Sequence, residues 1–303
     1  MKKFRWVLLA LVVIALGGGW WFFNSHRGSS SQQVTAPTPK STIHLVAIGD
    51  SLTYGVGDQK NNGGYVGQIK KRLEKHLNNT VKTSNYGVSG DRSDQILKRI
   101  KKQKQIRTDL KQADVIVMTV GGNDLLQTLE KELLTNSNTA LTKDIDQAGQ
   151  TYEGKLKQLF SAVRKENASA PIFVFSIYDP VYTYFPKVKA INNSITKWNK
   201  LTKATLAGYG PAYFVDINHL LSYGQYTTAA SRKKLATQSA AANSESISQS
   251  EVIKIMDGKG KNLNKYISTD DNFHPNHAGY RLMTNALYKA MLNHDSFMYQ
   301  GGN

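Results

Sequence analysis

The chain has 303 residues and a formal net charge of +17, with 40% hydrophobic and 20% charged residues, which is enough for one ordinary folded core with appendages. It contains no cysteine, which excludes disulfides, thiolate metal sites and a lipid-modified N-terminal cysteine.

The N-terminus begins with three basic residues and continues into an apolar stretch, Trp6–Phe23. This stretch is just long enough to cross the hydrocarbon core as a helix, and its basic flank favours a cytoplasmic N-terminus. A cleaved signal peptide has the same beginning, but aromatic residues occupy positions 20–23, where small residues normally precede cleavage. We therefore predict a membrane anchor or signal segment at 1–23. An uncleaved anchor is favoured, and secretion after signal cleavage is the alternative.

Residues 24–41 are rich in Ser, Gln, Pro and Thr and predict a flexible tether, so the folded domain is expected at 42–303. On the outside of the cell, anionic lipid headgroups or acidic wall polymers are the expected partners of so basic a chain. Nucleic acid is not expected, because the densest basic run, Lys98–Arg107, has no interleaved aromatic residues. We interpret this run as a solvated helix face.

After the tether, short β-rich runs alternate with amphipathic segments. Strands are predicted at 43–48, 80–85, 114–120, 171–177 and 212–217. Helices are predicted around 65–77, 93–105, 144–167 and 187–207 and after Pro275. The alternation predicts an α/β fold, a flavodoxin-like three-layer α/β/α arrangement with a central, mostly parallel five-stranded sheet. In such sheets ligands bind at the carboxyl ends of the strands, where the strand order reverses.

Small polar blocks follow three of the predicted strands, and a fourth block precedes the last helix. Their sequences are GDSLTYG (49–55), YGVSGDRS (86–93), GGND (121–124) and DNFHPNHAGY (271–280). Taken singly, each has an ordinary explanation: Asp50 or Ser51 can cap a helix, and GGND can form a tight turn. Four unrelated turns would rarely carry these residue types in this order, so we expect one shared site.

A serine hydroxyl becomes an effective nucleophile when an imidazole accepts its proton and a carboxylate fixes the tautomer of that imidazole. His274 and Asp271, three residues apart, can supply both groups from one loop. The four blocks resemble those of the GDSL, or SGNH, family of serine esterases and lipases, and the resemblance spans residues 43–292. It implies that Ser51 is the nucleophile. It also implies an oxyanion hole made by the backbone N–H groups of Ser51 and Gly90 and the side-chain amide of Asn123.

The resemblance further implies a carboxylic ester hydrolase. No metal is expected, because the histidines outside the four blocks do not show the spacing of zinc ligands, and no cofactor is expected. Four aromatic residues after the fourth strand are candidates for lining an acyl groove, with sealing of the core edge as the alternative; they are Tyr178, Tyr182, Tyr184 and Phe185. We expect a membrane-anchored, extracytoplasmic esterase of lipid-like or small acyl substrates. One alternative is an O-acetyl or aminoacyl esterase of wall polysaccharide or teichoic acid. Another is a non-catalytic, wall-binding domain with an idle site.

The segment 218–270 carries none of the resemblance and is longer than a usual connection between such elements. We expect an insertion with short helices that emerges at the mouth of the site and acts there as a lid. A solvated insertion without consequence is the alternative.

Overall fold

The computed structural model describes residues 37–133, 138–238, 254–255, 258–259 and 261–301. The predicted N-terminal anchor and the first part of the predicted tether lie outside these residues. Within the described ranges, none of the helices combines the length and the apolar character that a membrane span requires.

Five parallel strands form the central sheet in the order β2-β1-β3-β4-β5. They are β1 (Thr42–Gly49), β2 (Thr80–Gly87), β3 (Val115–Met118), β4 (Ile172–Phe175) and β5 (Ala212–Val215). All five predicted strands are present, and the three-layer α/β/α architecture is confirmed. The strand order reverses beside β1, because β2 lies on one side of it and β3 on the other, and a ligand crevice is expected at this point.

The helices connect the strands and cover both faces of the sheet. In chain order they are α1 (Ser51–Tyr54), α2 (Gly64–Leu77), α3 (Ser93–Lys102), α4 (Lys104–Gln112), α5 (Gly122–Leu133), α6 (Asn138–Glu166), α7 (Lys189–Leu206), α8 (Asn218–Ser222), α9 (Ala229–Gln238) and α10 (His277–Leu292). The helix predicted at 93–105 is two helices, because Gln103 adopts an extended backbone (φ −95°, ψ 111°) that ends α3. Helix α5 lies where no helix was predicted.

The core lies on both faces of the sheet, as the alternation of side chains along β1 requires. Val46 and Ile48 belong to one buried cluster with residues of α3, α4, α6 and α7. Leu45 and Ala47 belong to a second buried cluster, which includes residues of α2 and α10. All four residues of β3 and all four of β4 are buried. A parallel sheet covered in this way leaves its carboxyl edge as the place for polar chemistry.

The last residues of the predicted tether belong to the folded unit. The backbone N–H of Lys40 donates to the carbonyl of Met298, and the N–H of Gln300 donates to the carbonyl of Thr38. Pro39 and Tyr299 form an isolated antiparallel bridge between these bonds. Residues 38–40 are therefore held alongside the C-terminal segment.

The predicted insertion, 218–270, contains α8 and α9, while residues 239–253, 256–257 and 260 lie outside the described part of the chain. Its beginning is bonded to its end. The side-chain amide of Asn264 donates to the carbonyl of Leu221 at 2.6 Å, and that of Gln225 donates to the carbonyl of Leu263 at 2.8 Å. These bonds place the start of the segment close to the residues that lead into the histidine block.

Candidate active site

Ser51 opens the short helix α1 at the carboxyl end of β1. The helix is capped by the preceding residue, because Oδ1 of Asp50 accepts a hydrogen bond from the N–H of Leu52 at 3.0 Å. The hydroxyl of Thr119 donates to the same carboxylate oxygen at 2.7 Å. Burial raises the pKa of Asp50, and these two bonds oppose that effect only in part. Since Asp50 caps the helix, the hydroxyl of Ser51 is available to a different partner.

That partner is His274. Its Nε2 lies 2.8 Å from the Oγ of Ser51, and its Nδ1 lies 2.5 Å from Oδ2 of Asp271. The second carboxylate oxygen of Asp271 accepts the backbone N–H groups of Phe273 at 2.9 Å and His274 at 3.0 Å. Serine, imidazole and carboxylate thus form one continuous line of hydrogen bonds at the sheet edge.

The ionisation of Asp271 determines which atoms donate and which accept in this line of hydrogen bonds. Burial by itself raises the pKa of Asp271, but the bonds from the side chain and N–H of His274 and from the N–H of Phe273 outweigh burial and lower the pKa below its usual value. A carboxylate that stays ionised can only accept, so Nδ1 of His274 carries a proton and donates it. Nε2 of the neutral ring is then the acceptor that faces Ser51.

The histidine block is held on two sides. The N–H of Ser268 donates to the carbonyl of His274 at 2.7 Å, and the hydroxyl of Tyr178 donates to the carbonyl of Phe273 at 2.6 Å. On the serine side, Gly57 has φ +84°, and a Cβ there would lie 2.6 Å from the carbonyl of Pro275. Only glycine fits this approach, which brings the loop after Ser51 against the histidine block.

The turn after β2 contains Gly90, which is exposed and has a φ of +84°. The N–H of Val88 donates to the carbonyl of Gly49 at 3.0 Å, and the side-chain amide of Asn123 donates to the carbonyl of Asp91 at 3.0 Å. The structure therefore ties the turn that contains Gly90 both to the segment before Ser51 and to Asn123.

Asn123 lies in the first turn of α5, so GGND begins a helix and does not form an isolated tight turn. The next residue, Asp124, accepts the N–H of Ser93 at 2.9 Å and the hydroxyl of Ser93 at 2.6 Å. Burial raises the pKa of Asp124, and the two bonds from Ser93 act in the opposite direction. This buried pair joins the second and third blocks at the starts of α3 and α5.

A small cavity of about 40 Å³ lies beside Ser51. It is lined by residues from the ends of three strands and from the histidine block, namely Asp50, Ser51, Leu52, Thr119, Val120, Gly122, Asn123, Phe175, Ser176, Ile177, Tyr178 and Phe273. The nucleophile candidate and Asn123 therefore border the same space, while Gly90 does not line it.

The four aromatic candidates separate into three environments. Tyr178 lines the cavity. Tyr182 lies against Tyr223, with their ring centroids 4.6 Å apart. Tyr184 and Phe185 are buried in a hydrophobic cluster with Val181, Val188 and Ile255. For Tyr184 and Phe185, the observed packing is the one expected of rings that seal the core edge.

The sequence patterns do not reveal the contacts of two residues near the site, because these contacts form only in the folded chain. Nδ1 of His277 lies 2.9 Å from Oδ1 of Asp58, across 219 positions. Arg99, within the run interpreted as a solvated face, forms an ion pair with Asp91 at 2.6 Å, and both side chains are largely buried. Helical spacing offers one signal for Arg99, since it lies next to the buried Ile100 and three residues after the buried Ile96.

Comparisons with known proteins show the family to which the chain belongs. The family model described as GDSL-like Lipase/Acylhydrolase matches residues 47–282. The uncharacterized protein YpmR of Bacillus subtilis is 30% identical over 254 residues, which cover 83% of this chain and 82% of YpmR. The spore germination lipase LipC of Bacillus licheniformis is 28% identical over 162 residues, 54% of this chain and 74% of LipC.

Among solved structures, the lipase Lip_vut3 from a goat rumen metagenome has a TM-score of 0.59 at 23% identity. The match covers 82% of this chain and 97% of Lip_vut3, and it shows a shared fold. The chain belongs to the GDSL-like lipase/acylhydrolase family. It is therefore a carboxylic ester hydrolase.

Proposed function

We propose that the protein hydrolyses esters through an acyl-enzyme on Ser51, and the line of hydrogen bonds from Asp271 through His274 to Ser51 carries this proposal. The Oγ of Ser51 attacks the ester carbonyl carbon while Nε2 of His274 takes the hydroxyl proton. The same nitrogen gives that proton to the departing alcohol. Water then attacks the acyl-enzyme, again with His274 as base, and the carboxylic acid leaves as the proton returns to Ser51.

The negative charge that develops on the carbonyl oxygen needs donors that are already aimed at it. We assign this task to the N–H groups of Ser51 and Gly90 and to the amide of Asn123. An asparagine amide carries two N–H donors. The bond to the carbonyl of Asp91 uses one of them, so the other can serve the oxyanion. Asp271 remains ionised during the cycle and holds the imidazole in the required tautomer.

The acyl group that fits this site is short. The space beside Ser51 is small, about 40 Å³, and it is lined in part by the apolar residues Phe175, Ile177 and Phe273. We infer that a short acyl group, such as acetyl or propionyl, occupies it. The same observation favours a second candidate function, removal of O-acetyl groups from a wall polysaccharide, in which the alcohol is a sugar hydroxyl outside the cavity.

Esters of p-nitrophenol with graded acyl chains test the reaction and the acyl length together. We expect kcat/KM to be highest for acetyl or propionyl and to fall with longer chains. Ser51→Ala and His274→Ala are both expected to abolish turnover, because members of a triad act as a unit. Ser161→Ala, which alters an exposed serine on α6, is the matched control. Appreciable turnover by a folded Ser51→Ala variant removes the serine mechanism.

Acetylated wall polysaccharide distinguishes the two candidates. Release of acetate from this polymer at a kcat/KM above that for p-nitrophenyl acetate favours the polysaccharide reaction. Release from the small ester alone favours the short-acyl esterase. Ser51→Ala serves as the blank in both assays, so that spontaneous loss of acetyl groups is subtracted.

We also propose that the catalytic domain works outside the cytoplasm on a membrane anchor. The support is the apolar stretch Trp6–Phe23 with its basic flank and the polar tether that follows. The protein is then expected to stay with membranes in high salt and to dissolve in detergent, because burial of apolar residues holds it there and not surface charge. N-terminal sequencing of the cell-associated protein is the check, and a mature terminus between Gly17 and Ser31 means that the leader is cleaved.

A further inference from the structure

Arg99 lies in α3, inside the basic run Lys98–Arg107. Its side chain is only 14% exposed, whereas the neighbouring Lys98 is exposed. The helix explains this difference, because Ile96 and Ile100 are buried in the core and Arg99 lies on the flank of the stripe that they form. One cation of a predominantly solvated run is therefore directed toward the sheet.

The guanidinium of Arg99 bonds three groups at the carboxyl edge of the sheet. Nη2 donates to the carbonyl of Gly49 at 2.9 Å, and Nη1 donates to the carbonyl of Tyr86 at 2.9 Å. Nε donates to the carboxylate of Asp91 at 2.6 Å. The rigid fork of N–H groups makes this possible, and a lysine ammonium cannot reproduce it. One side chain thus joins the ends of β1 and β2 to the turn after β2.

These contacts adjoin the segments that carry the expected oxyanion donors. Gly49 lies two residues before Ser51, and Asp91 directly follows Gly90. The carbonyl of Asp91 also accepts the side-chain amide of Asn123 at 3.0 Å. Arg99 is therefore connected, either directly or through Asp91, to all three segments.

The position of Gly90 depends on the hydrogen bonds of the residues around it. Gly90 is exposed, and apart from its two chain neighbours no residue has a heavy atom within 4 Å of the position that a Cβ would occupy. Side-chain packing at this point does little to restrain the turn. A catalytic site nevertheless requires its donors to be held within about 0.5 Å of the productive geometry before charge develops. The bonds made by the neighbouring Asp91 restrain this turn, in addition to the bond from the N–H of Val88 to the carbonyl of Gly49.

We propose that Arg99 is a positioning residue that fixes the geometry of the oxyanion hole. The proposal rests on the proposed function, because it assigns Arg99 a task in the transition state of that reaction. Arg99 acts through Gly49, Asp91 and Asn123 and does not itself bond the substrate. Its loss is therefore expected to lower kcat and to leave KM nearly unchanged, since these donors act mainly on the transition state.

Two substitutions and a neighbouring control test this role. Arg99→Gln removes both the charge and the fork, Arg99→Lys keeps the charge only, and Lys98→Gln removes a charge from the exposed face of the same helix. With p-nitrophenyl acetate, we expect roughly 10–100-fold lower kcat for both Arg99 variants and a KM within about threefold of wild type. Lys98→Gln is expected to match wild type. Circular dichroism at the assay temperature verifies folding, and wild-type kcat in folded Arg99→Gln overturns the proposal.

A double variant separates positioning from general loosening of the fold. If Arg99 and Asn123 act on the same oxyanion, the combined loss in kcat of Arg99→Lys with Asn123→Ala is smaller than the product of the two single losses. Losses that multiply show independent effects and overturn the proposal. If Arg99→Gln does not fold, Arg99→Lys and Asp91→Asn, which removes the carboxylate partner and keeps the arginine, provide the same comparison.

A serine-directed fluorophosphonate distinguishes failure of this proposal from failure of the proposed function. Labelling of wild-type Ser51, mapped by peptide mass spectrometry, tests the function alone, and absence of labelling there removes both proposals. Labelling of Ser51 at equal rates in wild type and the Arg99 variants leaves the function intact and overturns only the positioning role. We expect slower labelling of the Arg99 variants, because charge also develops on the phosphonyl oxygen during this reaction.

Discussion

Nδ1 of His277 lies 2.9 Å from Oδ1 of Asp58 and links the start of α10 to the loop that follows the Ser51 helix. Oδ2 of Asp58 accepts the N–H groups of Asn62 at 3.2 Å and Gly64 at 3.1 Å. Burial by itself raises the pKa of Asp58, but the hydrogen bond from His277 and the bonds from backbone N–H groups outweigh it and lower the pKa. Asp58 is therefore a charged anchor for the loop that reaches the histidine block.

Asp58→Asn is expected to lower the free energy of unfolding at pH 7 by about 1–3 kcal/mol, because an amide has one acceptor oxygen for the several donors that Asp58 serves. A lowered pKa stabilises the fold above the unfolded-state value of about 3.9, and this contribution disappears as the pH falls through the folded-state pKa. The difference in the free energy of unfolding between wild type and Asp58→Asn must therefore shrink as the pH falls from 6 to 3. Urea unfolding at several pH values measures it, with the exposed Asp146→Asn as control. A difference that is constant with pH contradicts the charged-anchor role.

Asp271→Asn tests the group that orients the imidazole. The substitution preserves size, but an amide N–H facing Nδ1 of His274 would favour the tautomer in which Nε2 carries the proton and cannot accept from Ser51. We expect kcat at neutral pH to fall by roughly 10³–10⁴-fold. Asp270→Asn, at the exposed neighbouring carboxylate, is the control and is expected to keep wild-type activity. Equal effects of the two substitutions would contradict the assigned role.

Asn123→Ala tests the side-chain donor to the oxyanion. The amide lines the cavity beside Ser51, and its loss is expected to lower kcat roughly 100–1,000-fold with little change in KM. Asn123→Asp keeps the size and replaces a donor by a negative charge, so it should be at least as inactive. A raised KM with unchanged kcat would instead show that Asn123 binds the ground state of the substrate.

The sheet and the pairing of His274 with Asp271 were predictable because both depend on local patterns. Alternating β-rich and amphipathic runs predict parallel strands, and the carboxyl ends of such strands meet at one edge. His274 and Asp271 are close in sequence, so one loop brings them together. Only the contact with Ser51 required the complete fold.

The remaining site residues depend on contacts that no short pattern contains. In the sequence, little distinguishes Arg99 from the other cations of its run. Its contacts appear only when the fold brings α3 beside the turn after β2. The start of α5 was missed because a Gly-Gly-Asn-Asp sequence is typical of turns, whereas here Asp124 accepts two bonds from Ser93 and joins two helix starts. Aromatic residues suit both an acyl groove and a sealed core edge, so the sequence could not assign Tyr184 and Phe185 to one of them. Their packing in a buried cluster does so.

Asp179 is a buried carboxyl next to the cavity residue Tyr178. Burial raises its pKa to about 7, although the backbone N–H groups of Val181 and Tyr182 oppose the shift. The folded protein keeps this proton between about pH 4 and 7, where the unfolded chain releases it, so stability is lost as the pH rises through that range. Asp179→Asn keeps an acceptor for Val181 and does not titrate. We expect it to gain about 2–4 kcal/mol relative to wild type between pH 4 and pH 8, measured by urea unfolding. If the difference in the free energy of unfolding between the two proteins does not change with pH, the pKa of Asp179 is not raised.

The described part of the insertion is connected to the loop after β4. Arg232 of α9 lies over the ring of Tyr223 at 4.4 Å, and the same ring contacts Tyr182. Leu235 of α9 is buried. The insertion precedes Asp271 and His274 in the chain, and its role as a lid stays a prediction.

Replacement of residues 226–248 by a short Gly/Ser linker tests whether this segment is a lid. Because Ser51, His274 and Asp271 are held by bonds outside the deleted range, hydrolysis of p-nitrophenyl acetate should survive. The relative rates for longer acyl chains should change, since such chains extend beyond the small cavity and would contact a lid at its opening. A Gly/Ser replacement of equal length is the control that separates loss of specific contacts from a shortened connection. An unchanged chain-length profile in both folded variants would show that the insertion does not govern access.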